Sequence, residues 1–539
     1  MATMFPCPNC GGQLRFNVKS TRLICTSCGE PTNPYTYKPT DDINETGVNT
    51  KIYTCPCCAG EIQLIDNDGM EFCPYCGNQA TMEERFSTAG APKYIMPFNL
   101  DKEDAQKKYI EKTAKIHFAP DGLKDKKNVE KLVGLYTPYY LYDYSIYDEV
   151  EYTGIHRYDS GSYEVTDLAK IKVKVDVQHL KVPFDASETL DDTIASELEP
   201  FPMGDLIDFN PNFLAGFFVE NSSVNQDLYL EDSSDKAYDY VYKRVVAKAG
   251  EYTLKGGQEK DIRQQIDGKL SYKGCEGAYL PLYFMTTRTN DRVSYSIING
   301  ASGETYIDMP IEKKKMFNWA VIASLVIFVA MLMLSFIFSF SYDVKGLCAF
   351  ACLISSIIAF VGAKIANETY RFDNHLDDKG YYGTAENAKK HEIKAKKKKT
   401  FNTENLVGVL ITIGIAVLIF AVFDFQFLLI IMSFLFRIFS LVLPPIIYIA
   451  SGVLLVLSFI KIGHGKKLVT SLGVFSAIVS FVIHIMDLAN DIYYYTALIV
   501  VFAVILISIN AMVNEYNRFA THPSPQFGKK GGKLENAKN

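Results

Sequence analysis

What the sequence of 539 residues lacks narrows its possible functions. It contains no G-x-S-x-G nucleophile elbow, no Walker phosphate loop, no Rossmann glycine fingerprint and no HExxH motif. The hydrolase, NTPase, dehydrogenase and metalloprotease chemistries that depend on these motifs therefore have no footing here. Histidine is scarce, with 8 in the chain, and His117, His156 and His179 are scattered through its middle. They read as packed or exposed side chains, not as ligands or bases. Residues 1–30 hold no apolar core of a secretion signal. With hydrophobic residues at 48% and charged residues at 22%, the composition excludes a mainly disordered chain, a collagen and a small disulfide scaffold.

The net charge of −6 hides a division. Residues 1–310 carry 32 Lys/Arg against 47 Asp/Glu, whereas residues 311–539 carry 23 against 14. An acidic, soluble front is joined to a basic, apolar back.

Eight of the 12 cysteines form one pattern. Cys7 and Cys10, then Cys25 and Cys28, make two C-x-x-C pairs. Cys55 and Cys58, then Cys73 and Cys76, repeat them 48 residues later. The flanks repeat too: FPCPNCGGQL at 5–14 matches YTCPCCAGEI at 53–62, so the segment is an internal duplication. Two thiolates two residues apart can reach one ion from a tight turn, and Gly11, Gly29 and Gly77 follow such turns. The spacing predicts two closed four-cysteine sites, each holding one structural Zn²⁺. Disulfides and redox-active pairs are the alternatives. Cys57 is spare, and the repeat register favours Cys58 as the ligand. A closed site of this kind is not catalytic; it replaces a core that so short a segment cannot supply. Residues 1–90 carry 6 basic and 10 acidic residues, the opposite of a nucleic-acid footprint. Protein contact or a structural role is expected instead.

Residues 98–118 read as an amphipathic helix with Asp101 as N-cap. Strands are expected at 134–154, 163–182 and 279–300, and a second helix at 234–248. GLYTPYYLYDY at 134–144 and GAYLPLYFMTT at 277–287 read as two strand entries in one sheet. The acidic run from Glu188 to Glu199 reads as a solvated face, and Cys275 as inert.

Residues 317–340 contain no charge, and about 20 residues suffice to cross a bilayer core. Further spans are expected at 346–363, 406–423, 439–460, 468–486 and 493–513, giving six. Pro444 and Pro445 predict a kink in the fourth. Residues 425–438 are too short to cross twice with their neighbour, and are placed at the outer interface or in a re-entrant segment, with Arg437 snorkelling. Cys348 and Cys352 read as helix packing, and His484 as a weak polar candidate. Lys313–Lys315, KKHEIKAKKKK at 389–399, KIGHGKK at 461–467 and Lys529, Lys530 and Lys533 all fall on one side if both termini are cytoplasmic. That orientation also keeps the thiolates in a reducing compartment.

The expected fold class is multi-domain, with two tandem N-terminal four-cysteine zinc ribbons, a mixed α+β cytoplasmic domain and an all-α membrane domain of about six transmembrane helices. Residues 1–48 would be the first zinc ribbon with its linker, and 49–90 the second. Residues 91–312 would be the acidic domain and 313–366 a transmembrane hairpin. A basic cytoplasmic loop at 367–404, four further spans within 405–513 and a cytoplasmic tail at 514–539 would follow.

Several stretches carry a resemblance: the cysteine knuckles, YIMPFNLDKEDA at 94–105, HFAPDGL at 117–123, GLYTPYYLYDY at 134–144, LEPFPMGDLIDFNPNFLAGFFVE at 198–220 and SIINGASGETYIDMP at 296–310. Over about residues 1–365 the chain resembles the bacterial YdjG-like zinc-ribbon membrane proteins, often labelled TFIIB-type zinc-ribbon proteins. The resemblance implies a non-enzymatic scaffold in the bacterial cytoplasmic membrane. It also implies a cytoplasmic protein partner, of the phage-shock type or with an SPFH domain. Two other functions stand beside it: a transporter or channel with a zinc-ribbon regulatory domain, and a membrane-tethered nucleic-acid regulator.

Overall fold

The computed structural model describes residues 5–38, 43–44, 47–55, 57–58, 60–64, 73–77, 83–89, 91–116, 118–124, 129–161, 163–248, 250–289, 291–337, 344–382, 425–486 and 490–525. His117, the basic run at 389–399, the expected span at 406–423 and Lys529–Lys533 lie outside them.

Strands β1 (Leu14–Asn17), β2 (Arg22–Cys25) and β3 (Pro31–Thr32) form a small antiparallel sheet around the first cysteine group. All later strands belong to a second sheet of 14 strands. Its outer part is β4 (Ile43–Asn44), β5 (Gly47–Thr54), β6 (Glu61–Leu64) and β7 (Glu83–Ala89), which carry the second cysteine group. After β8 (Tyr94–Ile95) comes helix α1 (Lys102–Ala114), capped where the sequence places it. The Asp101 carboxylate accepts from the Asp104 backbone N–H, and Glu103 and Asp104 face the positive end of the helix dipole.

Strands β9 (Val133–Ser160) and β10 (Tyr163–Asp185) form a long hairpin, in register from Ser160↔Tyr163 to Tyr139↔Asp185 with one irregularity between Val177 and Leu180. Gly161 turns it with φ +67°, a conformation that side chains other than glycine resist. Helix α2 (Asp192–Glu197) and strands β11 (Ile207–Asp208) and β12 (Phe218–Val219) follow. Helix α3 (Leu230–Ala247), strand β13 (Thr253–Leu254) and helix α4 (Glu259–Asp267) come next. Helices α3 and α4 cover the hairpin base, packing Val241, Val245, Ile262 and Ile266 on Ile146, Val150, Val173 and Val175. Strand β14 (Ser271–Thr289) pairs antiparallel with β9, so the two Gly-x-Tyr-x-Pro segments are neighbours in one sheet. Strands β15 (Arg292–Asn299) and β16 (Thr305–Ile307) complete the domain.

Period-two alternation along β14 divides the core. Ala278, Leu280, Leu282 and Phe284 join one apolar cluster, and Tyr279, Tyr283 and Met285 join another. The first cluster contains Cys55, Cys58, Cys73 and Cys76, and the second contains Cys7 and Cys25. The duplicated ribbons therefore pack on opposite faces of one sheet.

The apolar back folds as helices α5 (Lys313–Ile337), α6 (Val344–Asp373), α7 (Phe425–Ile462), α8 (Leu468–Met486) and α9 (Ile492–Phe519). Four segments among the described residues are long and apolar enough to cross a membrane: Gly346–Asp373, Pro444–Ile462, Leu468–Met486 and Ile492–Phe519. Six spans are thus not supported. The segment expected to cross first is the backbone helix α5, most of whose later side chains lie outside the described residues. The segment at 425–438 is not a separate element, because it runs without a break into the next candidate span as the first part of α7. Pro444 and Pro445 sit inside that helix. Large apolar side chains are exposed on these helices, among them Trp319, Leu325, Ile449, Ile460, Ile485 and Ile499. A surface of that kind is covered by lipid or protein, not water. Cys348 and Cys352 are buried between helices, with Cys348 Sγ 3.6 Å from the Tyr494 carbonyl, as packing residues should be.

The helix ends are fastened to the sheet domain. Asp373, at the end of α6, lies 2.8 Å from Arg292 of β15 and 2.7 Å from Arg518 of α9. Asn517 exchanges two hydrogen bonds with the Ile311 backbone, at 2.7 and 2.9 Å. Beyond α9 the chain returns as strand β17 (His522–Pro523), paired with β15. There His522 is buried with its Nε2 3.0 Å from Asp308. Removing one member of a largely buried ion network leaves the others unpaired, which costs about 3–5 kcal/mol, against about 0–1 kcal/mol for an exposed pair. Asp373→Asn is expected to lower the thermal unfolding midpoint of the full-length protein in detergent clearly more than Lys172→Ala, which breaks only an exposed pairing with Glu149 and Glu151.

Candidate metal centres

Three of the four C-x-x-C turns are built the same way. Gly11 donates to the Cys7 carbonyl at 2.8 Å, Gly29 to Cys25 at 3.0 Å and Gly77 to Cys73 at 2.9 Å. These three glycines adopt φ of +70°, +74° and +65°. The turn aims backbone N–H groups at sulfur: Gly12 N lies 3.4 Å from Cys10 Sγ, and Ser27 N and Cys28 N lie 3.4 and 3.5 Å from Cys25 Sγ. Donors so placed favour thiolate over thiol. The Cys25 thiol is accordingly pulled down to about 6, chiefly by the Cys28 N–H.

The hairpin then closes each set of four. Cys7, Cys10, Cys25 and Cys28 come together, as do Cys55, Cys58, Cys73 and Cys76, with all sulfurs of a set within 4.8 Å of one another. The shortest cross-pairs are Cys10–Cys25 at 3.5 Å, Cys55–Cys76 and Cys58–Cys73 at 3.7 Å and Cys7–Cys28 at 3.8 Å. A disulfide requires about 2.05 Å, so these sulfurs are not bonded to one another. Each set could hold a metal ion. Cys57 is exposed and outside the second set, and its sulfur lies 3.3 Å from Arg288 Nη1.

The two sites differ in burial. Cys10 and Cys28 are exposed, whereas all four cysteines of the second set are buried. Tyr75, inside the second turn, is buried against Phe284 and near the carboxylate of Glu220. Glu220 is itself buried, and its Oε1 accepts from the hydroxyls of Ser187 and Thr189. Burial pushes the Glu220 carboxyl up from 4.5 to about 7, despite those hydrogen bonds.

The other polar candidates divide. His156 lies 3.6 Å from Glu251, and the exposed His179 lies 2.8 Å from Asp143. His484 sits against the Tyr448 ring. The acidic run does not form the solvated face expected of it. Asp191 and Asp192 are half-buried at the start of α2, beside the buried Asp185. Asp191, His375 and Asp378 form a third group whose ligand atoms lie within 4.8 Å of one another. Sequence reading missed this group because 184 residues separate Asp191 from His375; His375-x-x-Asp378 is its only local trace.

No profile of a known protein family matches the chain, and no solved structure matches it. The chain is similar to the uncharacterized protein YdjG of Bacillus subtilis, with 24% identity over 327 residues, 59% of this chain and 93% of that protein. The YdjG-like resemblance seen in the motifs is thus present across most of that relative's length.

The Glu220 shift has a sign. A carboxyl whose pKa is raised on folding favours the folded state when protonated. Its contribution is full below about pH 4.5 and is lost as pH rises through about 7, a span of about 3 kcal/mol. Denaturant titrations from pH 4.5 to 8 should show Glu220→Gln with a shallower loss of stability than the unmodified protein.

Proposed function

We propose that the protein is a non-enzymatic, multi-pass scaffold of the bacterial cytoplasmic membrane, with both termini and the sheet domain in the cytoplasm. In this reading the two four-cysteine groups hold structural Zn²⁺. Four sulfurs about 2.3 Å from a tetrahedral zinc stand about 3.8 Å apart, close to the 3.5–3.8 Å found. The closed sulfur sets leave no position for substrate and fit a structural ion.

The observation that carries the reading is the fastening of the sheet domain to the domain-side ends of α6 and α9 through Asp373, Arg518 and β17. A domain held so firmly is suited to presenting a fixed surface beside the bilayer. The basic residues support the orientation. Lys315 reaches Asp121 and the Ala119 carbonyl of the sheet domain, and Lys466 pairs with Glu515 near the same end of α9. They lie on the domain side, as cytoplasmic lysines would. The presented surface is acidic overall, and a cytoplasmic protein of the phage-shock type or with an SPFH domain is the partner we favour.

Transport receives less support. Apart from Glu515 near the domain-side end of α9, buried polar residues within the described membrane helices are small hydroxyls, including Ser355, Ser356, Ser451, Thr470, Ser476 and Ser480. Such residues let helices approach closely.

The test is a crosslinked, nuclease-treated affinity purification of the full-length protein, beside a Cys10→Ser/Cys28→Ser variant that opens the exposed site. The expected result is two zinc ions per chain in the unmodified protein, about one in the variant, and a cytoplasmic protein enriched with the former and depleted from the latter. Equal recovery of every co-purified protein would contradict the adaptor role, and solute flux through liposomes carrying the protein would replace it with transport.

A further inference from the structure

A second kind of ion site lies where the membrane helices meet the sheet domain. Helix α6 ends at Asp373, and the chain turns back through His375, which has φ +53° in the left-handed region. The Leu376 N–H donates to the Arg371 carbonyl at 2.9 Å, closing the helix end. The next residues run onto the start of α2. Lys379 N donates to Asp192 Oδ2 at 2.7 Å, and Tyr381 N donates to Asp378 Oδ1 at 2.9 Å. The His375 ring stacks on Tyr381 with centroids 3.8 Å apart, which fixes where its nitrogens point.

This contact concentrates negative charge. Asp191 and Asp378 come together with His375, and Asp185 and Asp192 interact with these carboxylates. Asp185 is 2% exposed, and its Oδ2 has no hydrogen-bond partner among the described residues. Asp192, Asp378 and Asp191 are its principal charged neighbours. The lysines nearby are engaged elsewhere, Lys379 with Asp232 and Lys236 with Glu199. His375 Nδ1 stands 3.4 Å from Asp378 Oδ2, within reach of its charge but without hydrogen-bond alignment.

We propose that Asp191, His375 and Asp378, beside the buried carboxylate of Asp185, hold a divalent cation that pins the end of helix α6 to the sheet domain. One imidazole with carboxylates suits a first-row ion such as Mn²⁺, Fe²⁺ or Zn²⁺ better than an all-oxygen Ca²⁺ cage. The cation neutralises carboxylates that would otherwise repel one another, and it joins residues from two parts of the chain. Its donor set is distinct from the tetrathiolate sets, which soft ions prefer.

That difference supplies the test. The full-length protein in detergent is titrated with Mn²⁺ alone, which thiolate sites disfavour, and followed by electron paramagnetic resonance. The expected result is one bound Mn²⁺ per chain with a nitrogen modulation from the imidazole. His375→Gln should abolish the modulation. Asp378→Asn should weaken binding at least about ten-fold. Asp191→Asn should weaken it comparably and serves as the second probe, because Asp378 also caps the following turn; circular dichroism checks that each variant is folded. Absence of bound Mn²⁺ in the unmodified protein would overturn the site. So would binding that persists unchanged, nitrogen modulation included, in His375→Gln and Asp191→Asn.

Discussion

Four sulfurs held within 4.8 Å of one another, in each of two sets, are the arrangement on which the sheet domain depends. Without an ion, buried thiols so crowded would be left without strong partners, and thiolates would repel. With an ion, each set becomes a rigid plug. The duplication places one plug on each face of the sheet, where β14 supplies alternate side chains to both. On the proposed reading, ion binding and closure of the core would be one process, as in small metal-dependent domains. The second plug is the deeper. Its four cysteines pack with Tyr75, Phe284 and Tyr295 in the main apolar cluster, while the first keeps Cys10 and Cys28 at the surface.

A second constraint acts at the edge of the apolar back. A helix bundle and a sheet joined only by loops would be free to move apart. Here the joint is made of charges largely withdrawn from water: Arg292, Asp373 and Arg518, and next to them Asp308 with His522. The last helix does not simply leave the bundle, because β17 returns it to the sheet edge on β15. The acidic cluster at Asp191, His375 and Asp378 lies on the same junction. Three separate stretches of chain thus hold the helix ends, and the proposed scaffold role draws on that stiffness.

Much of this was legible in the residues. The spacing of Cys7, Cys10, Cys25 and Cys28 and its repeat 48 residues later specify which sulfurs meet, and the structure brings those sets together. The alternation in GLYTPYYLYDY announces a strand, and Asp101 announces a helix start. Other features could not be read, because they arise between distant segments. Nothing in the duplicated ribbons says that they will occupy opposite faces, since that depends on the pairing of β6 with β12 and on the register of β14. The run from Glu188 to Glu199 looks solvated by composition, but residues 375–381 dock over part of it and bury its first carboxylates. Residues 425–438 read as a separate piece, whereas in the structure they continue into the apolar residues of α7.

The claim that the two metal plugs complete one shared core is tested most directly by hydrogen exchange on the full-length protein before and after treatment with a strong chelator. The account predicts that removing the ions exposes amides throughout β9, β14 and β15 as well as those around the cysteines. Loss of protection confined to residues 5–37 and 55–77, with the central strands unchanged, would contradict it and make the ribbons independent attachments.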